Sequence, residues 1–239
     1  MTIEKIITGF MQFRREVLPE LSGLFQRLAN EQNPTVLLVG CSDSRLVPAR
    51  LVSINPGEVF EVRSVGNFVT PSGARGVSSG DVGEAAAIEF AVGVLGVRDI
   101  LILGHSSCGA MSALLANADL THAPNLKEWL SYGRPALYRQ QELTYEEGLS
   151  PADKLSQANV VVQIDNCATY PLVREAIDAG KLWLHGAWLD VGSGDLHLLD
   201  RQAGRFKLLD DAEAARRLGD GPNSIRASTP PPGEIKGGR

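Results

Sequence analysis

Thr35-Val36-Leu37-Leu38-Val39-Gly40 is a short apolar run rich in branched side chains, and Cys41 follows it directly. It lacks the polar–apolar alternation of a strand with one wet face. It therefore predicts a strand buried on both sides, as parallel sheets require. Asp99-Ile100-Leu101-Ile102-Leu103-Gly104 has the same form and leads into His105. Val59-Phe60-Glu61-Val62-Arg63, after the turn signal Asn55-Pro56-Gly57, supplies another strand. Between and beyond these runs the pattern changes to helix. Asp81 to Val97 reads as a long apolar helix, Ala110 to Ala116 as the helix after the second glycine-ended strand, and Pro124 to Arg139 as two short helices. Asn159 to Ile164 reads as helix, although its Val-Val-Val-Gln-Ile run also suits a strand. Pro171 to Ala179 has Pro in its first turn and Gly180 past its end, which is good helix punctuation. Lys181 to Asp190 and Asp195 to Asp200 read as a last strand or hairpin. Strands alternating with helices predict an α/β fold: a central, mostly parallel sheet with helices on both faces.

Outward from that core, Ile3, Ile6, Ile7, Phe10 and Met11, then Val17 and Leu18, recur at helical spacing; Leu21, Leu24, Phe25 and Leu28 continue a second stripe after Pro19. No strand lies near these helices in sequence, so they are expected to pack on a partner subunit. The expected organisation is an N-terminal helical arm over 1–32, an α/β catalytic domain over 33–205, and a disordered Gly-, Pro- and Ser-rich tail over 219–239. In 239 residues the net charge is −5, which argues against nucleic acid as a partner because no basic stripe is present to neutralise phosphates. No apolar run approaches the roughly 18 residues of a membrane span, and charges interrupt the N-terminus where a signal peptide needs an apolar core. The expectation is a soluble, cytoplasmic protein. Three cysteines, Cys41, Cys108 and Cys167, do not form a disulfide framework by count.

The two glycine-ended strands share a layout, each delivering a metal-capable side chain at its carboxyl end. In open parallel sheets that is where ligands bind. If the strands are neighbours, Cys41 meets His105 and Cys108, the latter two being three residues apart. Two thiolates and one imidazole suit zinc and leave the fourth tetrahedral position for water, the mark of a catalytic rather than a structural site. Cys167, in Asp165-Asn166-Cys167-Ala168-Thr169, has no ligand pattern around it and reads as packing. Asp43 and Arg45 follow Cys41 at alternate positions and project to one side of an extended turn. An isolated Asp-x-Arg is usually a surface ion pair; two residues from a ligand, Asp43 is placed to accept a hydrogen bond from a metal-bound hydroxide while Arg45 orients it.

Cys41-Ser-Asp43-Ser-Arg45 with His105-x-x-Cys108-Gly109 resembles the zinc signature of the β-class carbonic anhydrases, most closely the plant-type and cyanate-operon-like bacterial branch. The likeness extends through Pro56-Gly57-Glu58-x-Phe60-x-Val62-Arg63, Gly66-Asn67, Ala87-Ile88-Glu89-Phe90-Ala91-Val92 and Leu184-His185-Gly186, covering about residues 30 to 200. The resemblance implies zinc on Cys41, His105 and Cys108, with Asp43 and Arg45 as the catalytic pair. It implies that Gln32 donates a hydrogen bond to bound bicarbonate, that Phe60, Val65 and Phe90 form an apolar carbon dioxide pocket, and that Gly109 lies at the substrate. It further implies that the pocket is completed across a homodimer, or a higher homo-oligomer, whose N-terminal helices wrap the partner. Phe90 stands where many relatives carry Tyr, which removes a hydroxyl from the pocket, and Ser64 replaces a frequent Asn after Arg63. The expected reaction is reversible hydration of carbon dioxide to bicarbonate and a proton by zinc-bound hydroxide. Two thiolates make zinc a weaker Lewis acid than three neutral imidazoles do, so activity is expected to rise above neutrality. The alternatives are hydrolysis of carbonyl sulfide or carbon disulfide on the same zinc, and a non-catalytic zinc- or bicarbonate-binding protein.

Overall fold

In the computed structural model, which describes residues 2–219, the apolar runs are strands of one sheet. They are β1 (Val36–Cys41), β2 (Val59–Ser64), β3 (Asp99–His105), β4 (Trp183–Leu189), β5 (Leu196–Asp200) and β6 (Arg205–Leu208). The order is β2-β1-β3-β4-β5-β6. The first four strands run parallel, whereas β4-β5-β6 is an antiparallel meander. From β1 the chain moves to one side, to β2, and then crosses to β3 on the other. The junction of β1 and β3 is thus a topological switch point, the position at which open α/β sheets hold ligands. Gly40 pairs with Leu103 across this junction, which brings the ends carrying Cys41 and His105 side by side.

The helices are α1 (Ile3–Gln12), α2 (Leu18–Leu28), α3 (Pro48–Leu51), α4 (Gly83–Glu89), α5 (Gly109–Leu115), α6 (Pro124–Ser131), α7 (Ala136–Arg139), α8 (Pro151–Cys167), α9 (Pro171–Asp178) and α10 (Asp211–Leu218). The ambiguous Val-rich run at 160–162 is helical: it lies in α8, which packs on β3 and β4 and is buried from Leu155 to Ile164. Its close approach depends on two glycines in the strands beneath. A Cβ on Gly104 would stand 2.7 Å from Val160 Cγ2, and one on Gly186 would stand 2.9 Å from Val160 Cγ1.

Three features differ from the sequence reading. The expected helix over 81–97 starts at Gly83 and, after Glu89, widens into a π-helical turn over Phe90–Leu95 before ending at Gly96 with φ +68°. A second π-helical turn, Phe13–Val17, joins α1 to α2, with Pro19 in the first turn of α2 where its missing N–H is harmless. The edge strand β6 and helix α10 were not anticipated. The arm α1–α2 has no buried residue, and Ile3, Ile6, Ile7 and Phe10 are each more than half exposed. Among the described residues no helix is long and apolar enough to cross a membrane. The expected disordered tail, apart from Gly219, lies outside the described residues.

Candidate metal centre

Cys41 ends β1, His105 ends β3, and Cys108 lies three residues on, at the entrance to α5. The two sulfurs and a His105 ring nitrogen all lie within 4.8 Å of one another, and all three residues are buried. His105 Nδ1 lies 2.9 Å from the Ser106 carbonyl oxygen. With Nδ1 donating to that carbonyl, the tautomer is fixed and the Nε2 lone pair is left available to an ion shared with the sulfurs. Nε2 is buried and has no hydrogen-bond partner among the described residues. A buried imidazole nitrogen without a partner, converging with two thiols, fits one divalent ion, and this sulfur-rich set suits zinc.

Electrostatics agrees with that fit. Cys41 is pulled well below the ordinary thiol range, first by the Cys108 thiol and, against its burial, by His105 and the Gly66 amide. Cys108 is pushed up because it serves as the donor to Cys41. Burial works against a charged His105, yet the Cys41 sulfur raises its pKa.

The Gly66 amide lies 3.3 Å from Cys41 Sγ. Gly66 reaches this position with φ +78°, and a Cβ there would meet Phe68 Cζ at 2.9 Å, so the position demands glycine. Asp43 leans over the cluster, its Oδ2 3.9 Å from His105 Nε2. Arg45 grips it as a fork: Nε donates to Oδ1 at 2.9 Å, Nη2 to Oδ2 at 2.8 Å, and the Arg45 amide to Oδ1 at 2.9 Å. Those bonds hold the Asp43 carboxyl well below the usual carboxylate range, although partial burial opposes them.

The other sequence candidates divide into two groups. Val65 precedes Gly66, and its carbonyl accepts a hydrogen bond from Trp129 Nε1 at 2.7 Å. Gly109 opens α5, with clear space where a Cβ would stand. Both lie at the cluster. Phe60 and Phe90 touch each other, ring centroids 5.8 Å apart, away from it. Phe60 pairs with Leu37, four residues before Cys41 on β1, roughly 13 Å down the sheet. Gln32 is exposed ahead of the opposite end of that strand. One copy of the chain does not bring these three to its own thiols.

Two contributors escaped the sequence reading. Arg63, part of the family pattern in the sequence, donates to the carbonyls of Cys41 (3.0 and 2.8 Å), Asp43 (2.8 Å) and Leu46 (2.7 Å), binding the loop that follows Cys41. Helix α8 carries a polar stripe. Asp153 accepts from the Ser107 amide, Ser156 donates to the His105 carbonyl, Asn159 to the Gly66 carbonyl, and Gln163 accepts from the Val69 amide. Polar residues at spacings of three and four along an otherwise apolar helix are the signal that reveals such a face.

Comparison with known proteins places these features in context. The sequence pattern of the family described as "Carbonic anhydrase" matches residues 36–196. A carbonic anhydrase of Pseudomonas aeruginosa is 38% identical over 222 residues, covering 93% of this chain and 99% of the relative. Carbonic anhydrase 1 of Escherichia coli O157:H7 is 37% identical, covering 85% and 91%. Among solved structures, the β-carbonic anhydrase CcaA superposes with a TM-score of 0.79 at 29% identity, covering 87% of this chain and 92% of that one. A Sordaria macrospora structure, described as one of two tetrameric β-carbonic anhydrases, superposes with a TM-score of 0.70 at 29% identity, covering 82% and 96%.

Proposed function

The chain belongs to the β-class carbonic anhydrase family, and on that premise we propose that it hydrates carbon dioxide reversibly to bicarbonate and a proton, with zinc held by Cys41, His105 and Cys108. The observation that carries this reading is the convergence of two thiols and one imidazole beneath an ion-paired carboxylate. Zinc in such a set supplies a Lewis acid that makes hydroxide available from water near neutral pH. The remaining work falls to the protein's own side chains. Asp43, kept ionised by Arg45, is an acceptor only. It therefore takes the proton of the attacking oxygen in a hydrogen bond and leaves that oxygen's lone pair free for carbon dioxide. Arg45 spends its fork on Asp43 and so fixes the direction of that hydrogen bond. Val65 lines the apolar approach, and Gly109 leaves room for the substrate beside Cys108.

Gln32, Phe60 and Phe90 act from a second copy. The support is their separation from the chain's own thiols together with the exposed apolar stripe of α1–α2, which suits wrapping a partner in a homodimer or larger homo-oligomer. Bicarbonate formed at the site then meets the Gln32 amide. Three free thiols fit a reducing, cytoplasmic setting.

The test is metal analysis with stopped-flow carbon dioxide hydration on the purified protein and on Asp43→Asn. About one zinc per chain is expected, lost with activity on chelation. Asp43→Asn keeps its zinc but falls about 10²- to 10⁴-fold in kcat/KM, because the amide also presents donors to the attacking oxygen. A metal-loaded wild type inactive on carbon dioxide, or an Asp43→Asn protein as fast as wild type, would overturn the reading.

A further inference from the structure

The Arg45 side chain has two anchors among the described residues. One is Asp43; the other is the Ser107 carbonyl, which accepts from Nη2 at 3.0 Å. With 46% of its side chain exposed, Arg45 depends on both for a single geometry. The second anchor is an improbable one, because Ser107 has φ +55°, a left-handed conformation that a non-glycine residue adopts only when its surroundings enforce it. What enforces it here comes from 46 residues further along the chain: the Ser107 amide donates to Asp153 Oδ1 at 2.7 Å. Asp153 is itself held in the first turn of α8. Ser150 Oγ donates to Asp153 Oδ2 at 2.6 Å, and the Asp153 amide donates back to Ser150 Oγ at 3.2 Å. A reciprocal cap therefore aims a carboxylate at the Ser107 amide, and across the Ser107 Cα the carbonyl of the same residue faces Arg45.

We propose that Asp153 is a positioning residue for the reaction: by holding the Ser107 backbone in its left-handed conformation it fixes Arg45, and through Arg45 the direction in which Asp43 faces the cluster. The proposal rests on the carbonic anhydrase reading of the site. Asp153 touches no reacting atom. Without it Ser107 is free to relax to negative φ, its carbonyl turns away, and Arg45 keeps Asp43 ionised but no longer oriented. The rest of α8 is built to the same end. Ser156 on the His105 carbonyl (2.8 Å) and Asn159 on the Gly66 carbonyl (2.9 Å) tie the same helix to both sides of the cluster.

The experiment pairs kinetics with the Nε–H resonance of Arg45, assigned by its loss in Arg45→Lys and read in zinc-loaded and metal-free protein. Asp153→Ala is expected to lose about 10- to 100-fold in kcat with little change in KM or zinc content. Its Arg45 Nε–H should exchange faster with solvent whether or not zinc is present. Asp153→Asn, whose amide oxygen still accepts from Ser107, should recover to within about threefold of wild type. If Asp153→Ala does not accumulate, Asp153→Ser, too short to reach the Ser107 amide, takes its place. Asp210 caps α10 in the same manner, accepting from the Glu213 amide at 2.8 Å, so Asp210→Ala supplies a matched loss of stability away from the site. The proposal is overturned if Asp153→Ala leaves the Arg45 resonance unchanged, or slows the enzyme no more than Asp210→Ala does. A wild type inactive on carbon dioxide overturns instead the reading of the site, and with it the catalytic half of the proposal; the metal-free resonance still decides whether Asp153 holds Arg45.

Discussion

Cys41, Asp43 and Arg45 share a five-residue segment that belongs to no regular element beyond its first residue, yet it presents both a thiol of the cluster and the ion-paired carboxylate above it. Arg63 holds that segment in place. Its guanidinium reaches the carbonyls of Cys41, Asp43 and Leu46 at once, so the segment is tied down at three points by one planar group. A lysine at this position keeps the charge but lacks the second donor, Nε, that bonds the Cys41 carbonyl, and the rigid fork that holds Nη2 among the three carbonyls. Arg63→Lys is therefore expected to weaken zinc binding by about 10- to 100-fold, read by competition with a chromogenic chelator, while the protein remains folded. Unchanged affinity would show that the segment is held by something else. The convergence of Cys41, His105 and Cys108 and the Asp-Arg pair beside it were legible in the sequence because their residue types are rare and their spacing is short. Arg63 was visible only as part of a pattern: hydrogen bonds to carbonyls 17 to 22 residues away leave no local trace.

At the scale of elements, legibility followed burial. Strands β1 and β3 declared themselves because both faces are covered, which forces near-continuous apolar runs. Strand β6 is four residues with one buried side chain, Phe206, and α10 is a charged helix with none, so neither carries a core pattern to read. The π-helical turns at Phe13–Val17 and Phe90–Leu95 escaped for another reason: an added residue in one turn shifts the apolar period without abolishing it. Helix α8 was recognisable as helix only against its β-branched content, and the glycines beneath it decide how near it comes. Gly104→Ala drives a methyl to 2.7 Å from Val160 Cγ2 and 3.3 Å from Trp188 Cδ1. The expected cost is about 1–3 kcal/mol in urea unfolding, and Val160→Ala in the same chain should return most of it. Strict additivity of the two changes would place the clash elsewhere.

For the whole molecule, the distribution of site residues along the sheet has a consequence that a single chain cannot display. The Cys41-His105-Cys108 cluster, Asp43 and Arg45 gather at the carboxyl ends of β1 and β3, whereas Phe60 sits about four residues down the neighbouring strand and Gln32 precedes the strand altogether. If a symmetric dimer completes each site, every active centre takes its metal from one copy and its Gln32 and Phe60 from the other. Two defective chains then repair each other. Cys41→Ala cannot bind zinc but retains Gln32 and Phe60; a Gln32→Ala, Phe60→Ala chain has the converse defect. Each alone should be nearly inactive. Co-expressed in equal amounts, they give about half heterodimers by random pairing, and each heterodimer contains one complete site of two. The mixture should therefore recover about a quarter of wild-type activity, and isolated heterodimers about half. Recovery requires that the defects lie in different halves of one shared site. Had each chain used its own Gln32 and Phe60, every possible pairing would combine only broken sites, and the mixture would be as inactive as its parents.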